Sequence, residues 1–212
     1  MTVDELVTEV RTGYGFVDTT AAQALVAINA AYWDVCSRNT WPFLRGSTTM
    51  AATPGTASLT LPSDFSKVKS IRVPSLRTKI EPVEIDWLVE HYSDLTVTGN
   101  PRYYYFDGPT LSIYPTPDAA YVFYMLYSKW PAALAAAAAE TTIKIPVRHH
   151  EVLILGAALR MMAKDDDTYS TIKALYDEKI AHMVYDLMQQ QQDRPQVIYM
   201  TADEEWLDPV GW

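Results

Sequence analysis

The sequence predicts an α+β fold: an antiparallel α-helical bundle that carries a small inserted antiparallel β domain and ends in an extended C-terminal tail. Three observations lead there. Apolar residues recur at spacings of three and four near both ends of the chain, the signature of one-sided helices. Between them the period shortens to two, and Pro54-Gly55, Asn100-Pro101 and Asp107-Gly108 punctuate short β-favouring runs. Beyond Pro195 the periodicity stops in a segment that is apolar but interrupted by acids. The expected division is residues 1–45 and 131–195 for the helical domain, 46–130 for the β domain and 196–212 for an interaction tail.

Thr2-x-x-Glu5 has the form of a capping box, in which hydroxyl and carboxylate reciprocally satisfy the free N–H groups of a helix start. It predicts a short helix from Val3 to Arg11, ended by Gly13 and Gly15. Thr20-x-x-Gln23 repeats the pattern. Leu25, Ile28, Tyr32 and Val35 then share one stripe of a helix that ends near Arg38-Asn39 and is expected to pack on the C-terminal helices. Cys36 lies one turn after Tyr32 and reads as an inert buried thiol.

In the middle region Thr53-Pro54-Gly55-Thr56 is a turn, because Pro presets φ and Gly tolerates positive φ. With the alternating Ser58 to Leu61 after it, the first β unit is expected to be a hairpin. Val68 to Val73 reads as a strand, Ile80 to Ile85 as a weaker one broken by Pro82, and Asp86 to Tyr92 as a short helix capped by Asp86. Tyr103 to Phe106 turns through Asp107-Gly108 into Leu111 to Tyr114, and Tyr121 to Tyr127 is expected to pair next. The sum is an antiparallel meander, a small sandwich or partly open barrel. Tyr103, Tyr104 and Tyr105 offer rings that could stack on a sugar, but alternation turns one away from its neighbours and favours strand core.

Pro131 to Glu140 is nearly pure Ala and reads as a linker, since so short a stretch is marginal as a helix by itself. Pro146 suits a first helical position, and the helix is expected to run through Met162. Its centre, Val152 to Leu159, is apolar on every side, which marks a helix covered by neighbours or by another subunit, and Gly156 permits close approach. Asp165-Asp166-Asp167 precedes the last helix, where the dipole favours negative charge. That helix carries Tyr169, Ile172, Tyr176, Ile180, Met183 and Leu187 on one stripe, widened by Leu175, Val184 and Met188. The tail holds Ile198, Tyr199, Trp206, Leu207 and Trp212, too apolar for a solvated end and too short for its own core, so docking is expected.

Composition narrows the function. With 212 residues, 49% of them hydrophobic, the chain can bury a substantial core in one domain or one plus an insertion. A formal net charge of −9 argues against adhesion to nucleic-acid phosphates. The N-terminus is acidic where a signal peptide would be basic, so the protein is expected to stay in the cytoplasm where it is made. The longest apolar run, Val152 to Leu159, is far short of a bilayer span, and no membrane contact is expected. One cysteine excludes an internal disulfide and a multi-cysteine metal site.

His149-His150-Glu151 lacks the i, i+4 histidine spacing of a helical zinc pair; adjacent imidazoles on a helix diverge by about 100°. The Asp165 to Asp167 run lacks the alternating acids, Gly and terminal Glu of a calcium loop, and N-capping is its favoured role. His91 and His182 stand apart from any nucleophile pattern, and no Gly-rich phosphate cradle occurs. No catalytic residue, metal or cofactor is expected, and the chain does not read as an enzyme.

Several motifs follow in one order: Trp41-Pro42-Phe43-Leu44, Leu61-Pro62-Ser63-Asp64-Phe65, Tyr114-Pro115-x-Pro117, Tyr121 to Trp130-Pro131, and Ile145-Pro146 before Leu153-x-x-Gly156-Ala157-Ala158. In that order, over about Thr20 to Met188, the chain resembles the head-to-tail adaptor, or tail tubular protein A-like connector, of tailed bacteriophages. The Ala run before Ile145 departs from the more polar loop of that family. The resemblance implies a structural virion protein at the head–tail junction, assembled beneath the portal protein as a ring, commonly of twelve subunits. Its implied partners are the portal protein, tail or nozzle proteins, further copies of itself, and double-stranded DNA in transient passage without sequence-specific binding. Ile198, Tyr199, Trp206, Leu207 and Trp212 are then the expected interface to portal or neighbour. Asp165, Asp166, Asp167, Asp177 and Glu178 are the expected channel-facing acids, with an outer solvated face as the alternative. The competing class is a carbohydrate-binding or receptor-binding accessory module of a virion.

Overall fold

The structure, a computed structural model, describes residues 1–136, 138–164 and 166–192. Its helices are α1 (Val3–Gly13), α2 (Ala21–Arg38), α3 (Ile85–His91), α4 (Glu151–Met161) and α5 (Tyr169–Gln192). The strands are β1 (Arg45–Ala51), β2 (Ser58–Leu59), β3 (Phe65–Val73), β4 (Thr78–Pro82), β5 (Thr98–Gly99), β6 (Tyr103–Asp107), β7 (Thr110–Tyr114), β8 (Thr116–Pro117) and β9 (Val122–Lys129).

Both capping boxes form. Thr2 Oγ1 accepts from the Glu5 N–H at 3.3 Å while Glu5 accepts from the Thr2 N–H at 3.0 Å. Thr20 and Gln23 do the same at 3.2 and 2.9 Å, so α1 and α2 start where hydroxyl and side-chain carbonyl or carboxylate cover free N–H groups. α4 packs against α1, α2 and α5 of the same chain, and Val152 through Ala158 are buried. Its all-round apolarity is thus matched within the subunit. Gly156 explains the closeness: a Cβ there would lie 2.9 Å from Ala31 Cβ and 3.1 Å from the Tyr176 ring. The α-helix begins at Glu151 rather than at Pro146, which instead precedes a 3-10 turn over Val147–His149. On α5, Tyr176, Ile180, Met183 and Leu187 are buried and Ile172 and Val184 pack beside them, whereas Leu175 lies largely exposed.

The expectation of a helical bundle with a small inserted antiparallel β domain is overturned. Among the described residues five helices accompany a curled seven-stranded sheet in the order β1-β9-β3-β4-β6-β7-β2, and the fold is β-rich. The sheet is mixed, because β4 and β6 run parallel. A separate parallel pair joins β5 and β8. The physical reason is long-range pairing. The turn at Gly55 forms, with φ +76°, but its flanks part: β1 pairs with β9 and β2 with β7, so no first hairpin exists. β9 likewise inserts between β1 and β3 instead of following β7, which breaks the expected meander. The β3–β4 pair and the β6–β7 hairpin through Gly108 match the local pattern. The expected extended tail lies outside the described residues.

One face of the sheet closes over its own core, which includes Met50, Ile71, Ile80, Ile113, Phe123 and Met125. On the opposite face α3 covers β6 and β7: Trp87 meets Tyr103 at 5.5 Å, and Tyr92 meets Tyr114 at 4.9 Å between ring centroids. Glu84 occupies the N-cap position of α3 without a side-chain bond, and Asp86 lies in its first turn, so Asp86 is not the cap.

Candidate assembly surfaces

In the helical body the polar side chains of α2 fasten the returning segment. Asn29 donates to the Leu134 carbonyl at 3.0 Å and accepts from the Leu134 N–H at 2.7 Å, and the Tyr32 hydroxyl accepts from the Lys144 N–H at 3.1 Å. Burial pushes the Tyr32 phenol up to about 12. Tyr176 on α5 donates to Asp34 at 3.0 Å, and Arg38 pairs with the same carboxylate at 2.9 Å. The Cys36 thiol is buried and pushed up to about 12 by desolvation, which disarms it as a nucleophile.

The three residues His149-His150-Glu151 turn to three different partners. His149 Nε2 lies 3.0 Å from Asp186, which also pairs with Arg148 at 2.9 Å; His150 Nε2 lies 2.9 Å from the Ile145 carbonyl; Glu151 pairs with Lys179 at 2.7 Å. Burial lowers both histidines, against the pull of Asp186 on His149 and of the Ile145 carbonyl on His150. Among the described residues no group of three or more His, Cys, Asp or Glu converges as a metal site. These contacts lock α5 onto the start of α4.

The expected channel acids are placed apart. Asp165 lies outside the described residues. Asp166 accepts from the Thr168 N–H at 2.8 Å and from its hydroxyl at 2.6 Å, bonds that hold its carboxyl below the ordinary value and make it a local cap before α5. Asp167, Asp177 and Glu178 are exposed, and Asp177 borders a cleft shared with Arg38, Arg160 and Lys173 rather than a purely acidic wall. The expected tail anchors Ile198, Tyr199, Trp206, Leu207 and Trp212 lie outside the described residues.

The triple Tyr is divided as alternation requires. Tyr104 enters the sheet core, while Tyr103 is flanked by Trp87 and Tyr92, so no open row of rings exists.

Sequence reasoning missed a charge pattern that the sheet turns into two surfaces. Residues 65–80 carry Lys67, Lys69, Arg72, Arg77 and Lys79 with no acid, and residues 81–94 carry Glu81, Glu84, Asp86, Glu90 and Asp94 with no Lys or Arg. A windowed charge count would have found it. In the ladder Arg72 stands opposite both Tyr124 of β9 and Lys79 of β4, on the face away from Ile71 and Ile80. Among the described residues no ion pair reaches Arg45, Lys67, Lys69, Arg72, Arg77 or Lys79. A groove of about 730 Å³ opens there, lined by Arg72, Arg77, Lys79, Ser70, Pro74 and Tyr124. On α3 the acids Glu84, Asp86 and Glu90 surround Ile85, Trp87 and Val89, which are 38%, 36% and 58% exposed.

Asn29, Tyr32, Asp34 and Asp186 of the helical body are used in packing, while Val26 and Tyr185 on the helices and Ile85, Val89 and the cations of β3 and β4 on the sheet region are exposed. That division defines a protein whose working parts are contact surfaces. The family model described as SU10 adaptor protein matches residues 1–210, and the chain belongs to that family. Membership makes it a phage adaptor, a structural, non-enzymatic component of the virion that contacts other virion proteins. No curated protein matches the chain. No helix among the described residues is long and apolar enough to cross a membrane.

Proposed function

We propose that this adaptor joins the portal protein to the tail as a ring of identical subunits, commonly twelve in the related connectors, around the path of the DNA. The observation that carries the proposal is the family match over residues 1–210, which takes in the acidic, aromatic segment beyond α5. In that segment Ile198, Tyr199, Trp206, Leu207 and Trp212 are the anchors to the portal or a neighbouring subunit, since buried aromatic residues dominate interface energetics. Its acids give orientation more than affinity. The segments 1–45 and 131–195 form the ring body, and the segment 46–130 meets tail or nozzle proteins. Asp165, Asp166, Asp167, Asp177 and Glu178 face the channel, where DNA bearing one charge per about 1.7 Å slides past an anionic wall instead of adhering.

The test mixes the full chain with purified portal oligomer at micromolar concentration and images the product by electron microscopy. A ring seated on the portal is expected, and a chain cut after residue 195 should keep its fold but lose attachment. Absence of both ring and portal association overturns the proposal, and a ring map with a Lys and Arg lumen overturns the channel assignment.

A further inference from the structure

The outer face of the sheet is covered by α3 over β6 and β7 but is open over β1, β9, β3 and β4. This open part is not neutral. Arg72 and Lys79 oppose one another directly in the ladder, an arrangement that destabilises a sheet unless something outside it supplies negative charge. Arg45 also lies close enough to depress Lys69, although burial is the larger cause of that shift. The subunit therefore keeps a cluster of cations that its own acids do not neutralise.

The counterpart is on the same chain. α3 shows solvent Ile85 and Val89 on one side, with Glu84, Asp86 and Glu90 nearby, while Trp87 turns back against Tyr103 and Leu88 is buried. A ring of identical subunits closes through heterologous contacts, in which one patch on each copy fits a different patch on the next. We infer that the acidic apolar surface of α3 on one copy docks in the basic groove of β3, β4 and β9 on the next, Glu84 and Asp86 meeting Arg72 and Lys79.

The half-exposed Tyr124 and the Pro74 ring supply apolar floor for Ile85 and Val89, which lie one turn apart on the same side of α3. A DNA backbone would satisfy the cations but would leave the α3 surface without a partner, whereas a second copy satisfies both at once. The inference rests on the ring proposed above and names its contact.

Two full-length variants test it, each altering only exposed side chains: Arg72→Glu with Lys79→Glu, and Glu84→Lys with Asp86→Lys. Both should retain the wild-type circular dichroism and melting temperature. Each alone should self-associate about tenfold or more weakly than the wild type at low ionic strength, by mass photometry and on the portal oligomer as template. A one-to-one mixture should recover assembly, because both contacts in an alternating ring become complementary again. If either variant alone assembles like the wild type, or the mixture fails to recover, this contact is wrong while the ring stands. If the wild type forms no ring with or without the portal oligomer, both fall. If the Arg72 and Lys79 variant assembles normally but loses salt-sensitive retention of a duplex DNA fragment, the groove is a DNA surface and the inference is overturned.

Discussion

The helical body and one face of the sheet region carry their charges differently. In the body, Asn29, Tyr32, Asp34, His149 and Asp186 all find partners on other elements at 2.7 to 3.1 Å. In the sheet region, Arg45, Lys67, Lys69, Arg72, Arg77 and Lys79 find no ion partner among the described residues. A buried polar group left unpaired costs stability, so the first pattern is what a lone subunit needs. An exposed like-charged cross-strand pair costs the lone subunit up to about 1 kcal/mol, a cost that an acidic partner would relieve. The named contacts of the helical body are made within the subunit, and on the ring reading proposed above the open sheet face is where a partner would add acids.

The sharpest break to that contrast lies where the two regions meet. Trp41 is 1% exposed, stacks on Phe43 at 5.6 Å and donates its indole N–H to the Val35 carbonyl at 2.7 Å, just before β1 begins. Trp41→Ala removes a large buried side chain and should destabilise the subunit by about 4 kcal/mol, read by urea unfolding. A loss below about 1 kcal/mol would show that the helical core does not depend on this plug. Gly156→Val comes next. Its Cβ would sit 2.9 Å from Ala31 and press on Tyr176, so an overpacking cost of about 2 to 3 kcal/mol is expected. The same measurement on Thr49→Val, on the open sheet face, should show little change.

The third test uses pH. Burial lowers both His149 and His150 from the ordinary value of 6.5, so the folded state resists the protons that the unfolded chain takes up. Stability is therefore fully present above about pH 6.5 and is lost as pH falls from there through the lowered folded values. Melting temperature should drop on going from pH 7 to pH 5, and His150→Gln should flatten the slope. A melting temperature that rises over that interval would contradict the burial of these rings as neutral groups.

The helices were legible because their signals are local. The capping boxes at Thr2 and Thr20 and the stripe Tyr176, Ile180, Met183, Leu187 each lie within a few turns of chain. The single strands were mostly legible too, but not their partners. Alternation in Val122 to Lys129 tells which side chains share a face and nothing about whether the neighbour is β7, close in sequence, or β1, more than seventy residues away. That is how the small meander became a large mixed sheet. The candidate surfaces fared likewise: the charges of residues 65–94 can be counted in sequence, but only the registers Arg72 with Lys79 and Arg72 with Tyr124 put the cations on one open face.

The smallest effect separates subunit from assembly most cleanly. Lys79→Glu replaces a like-charged cross-strand pair with an opposite-charged one against Arg72, at an exposed site where no other partner is disturbed. Cross-strand charge pairs are worth a few tenths of a kcal/mol up to about 1 kcal/mol, so the isolated subunit should become slightly more stable, by about 0.5 kcal/mol. Salt should erase that gain, because exposed charges are screened over about 10 Å at 0.1 M. The same substitution removes a cation from the groove and should weaken self-association, so stability and assembly should move in opposite directions. Melting curves at low and high salt, set beside mass photometry of the same samples, read both. If Lys79→Glu lowers the melting temperature, the lysine is part of the subunit's own stabilisation, and the reading of this sheet face as an assembly surface fails at the residue chosen to expose it.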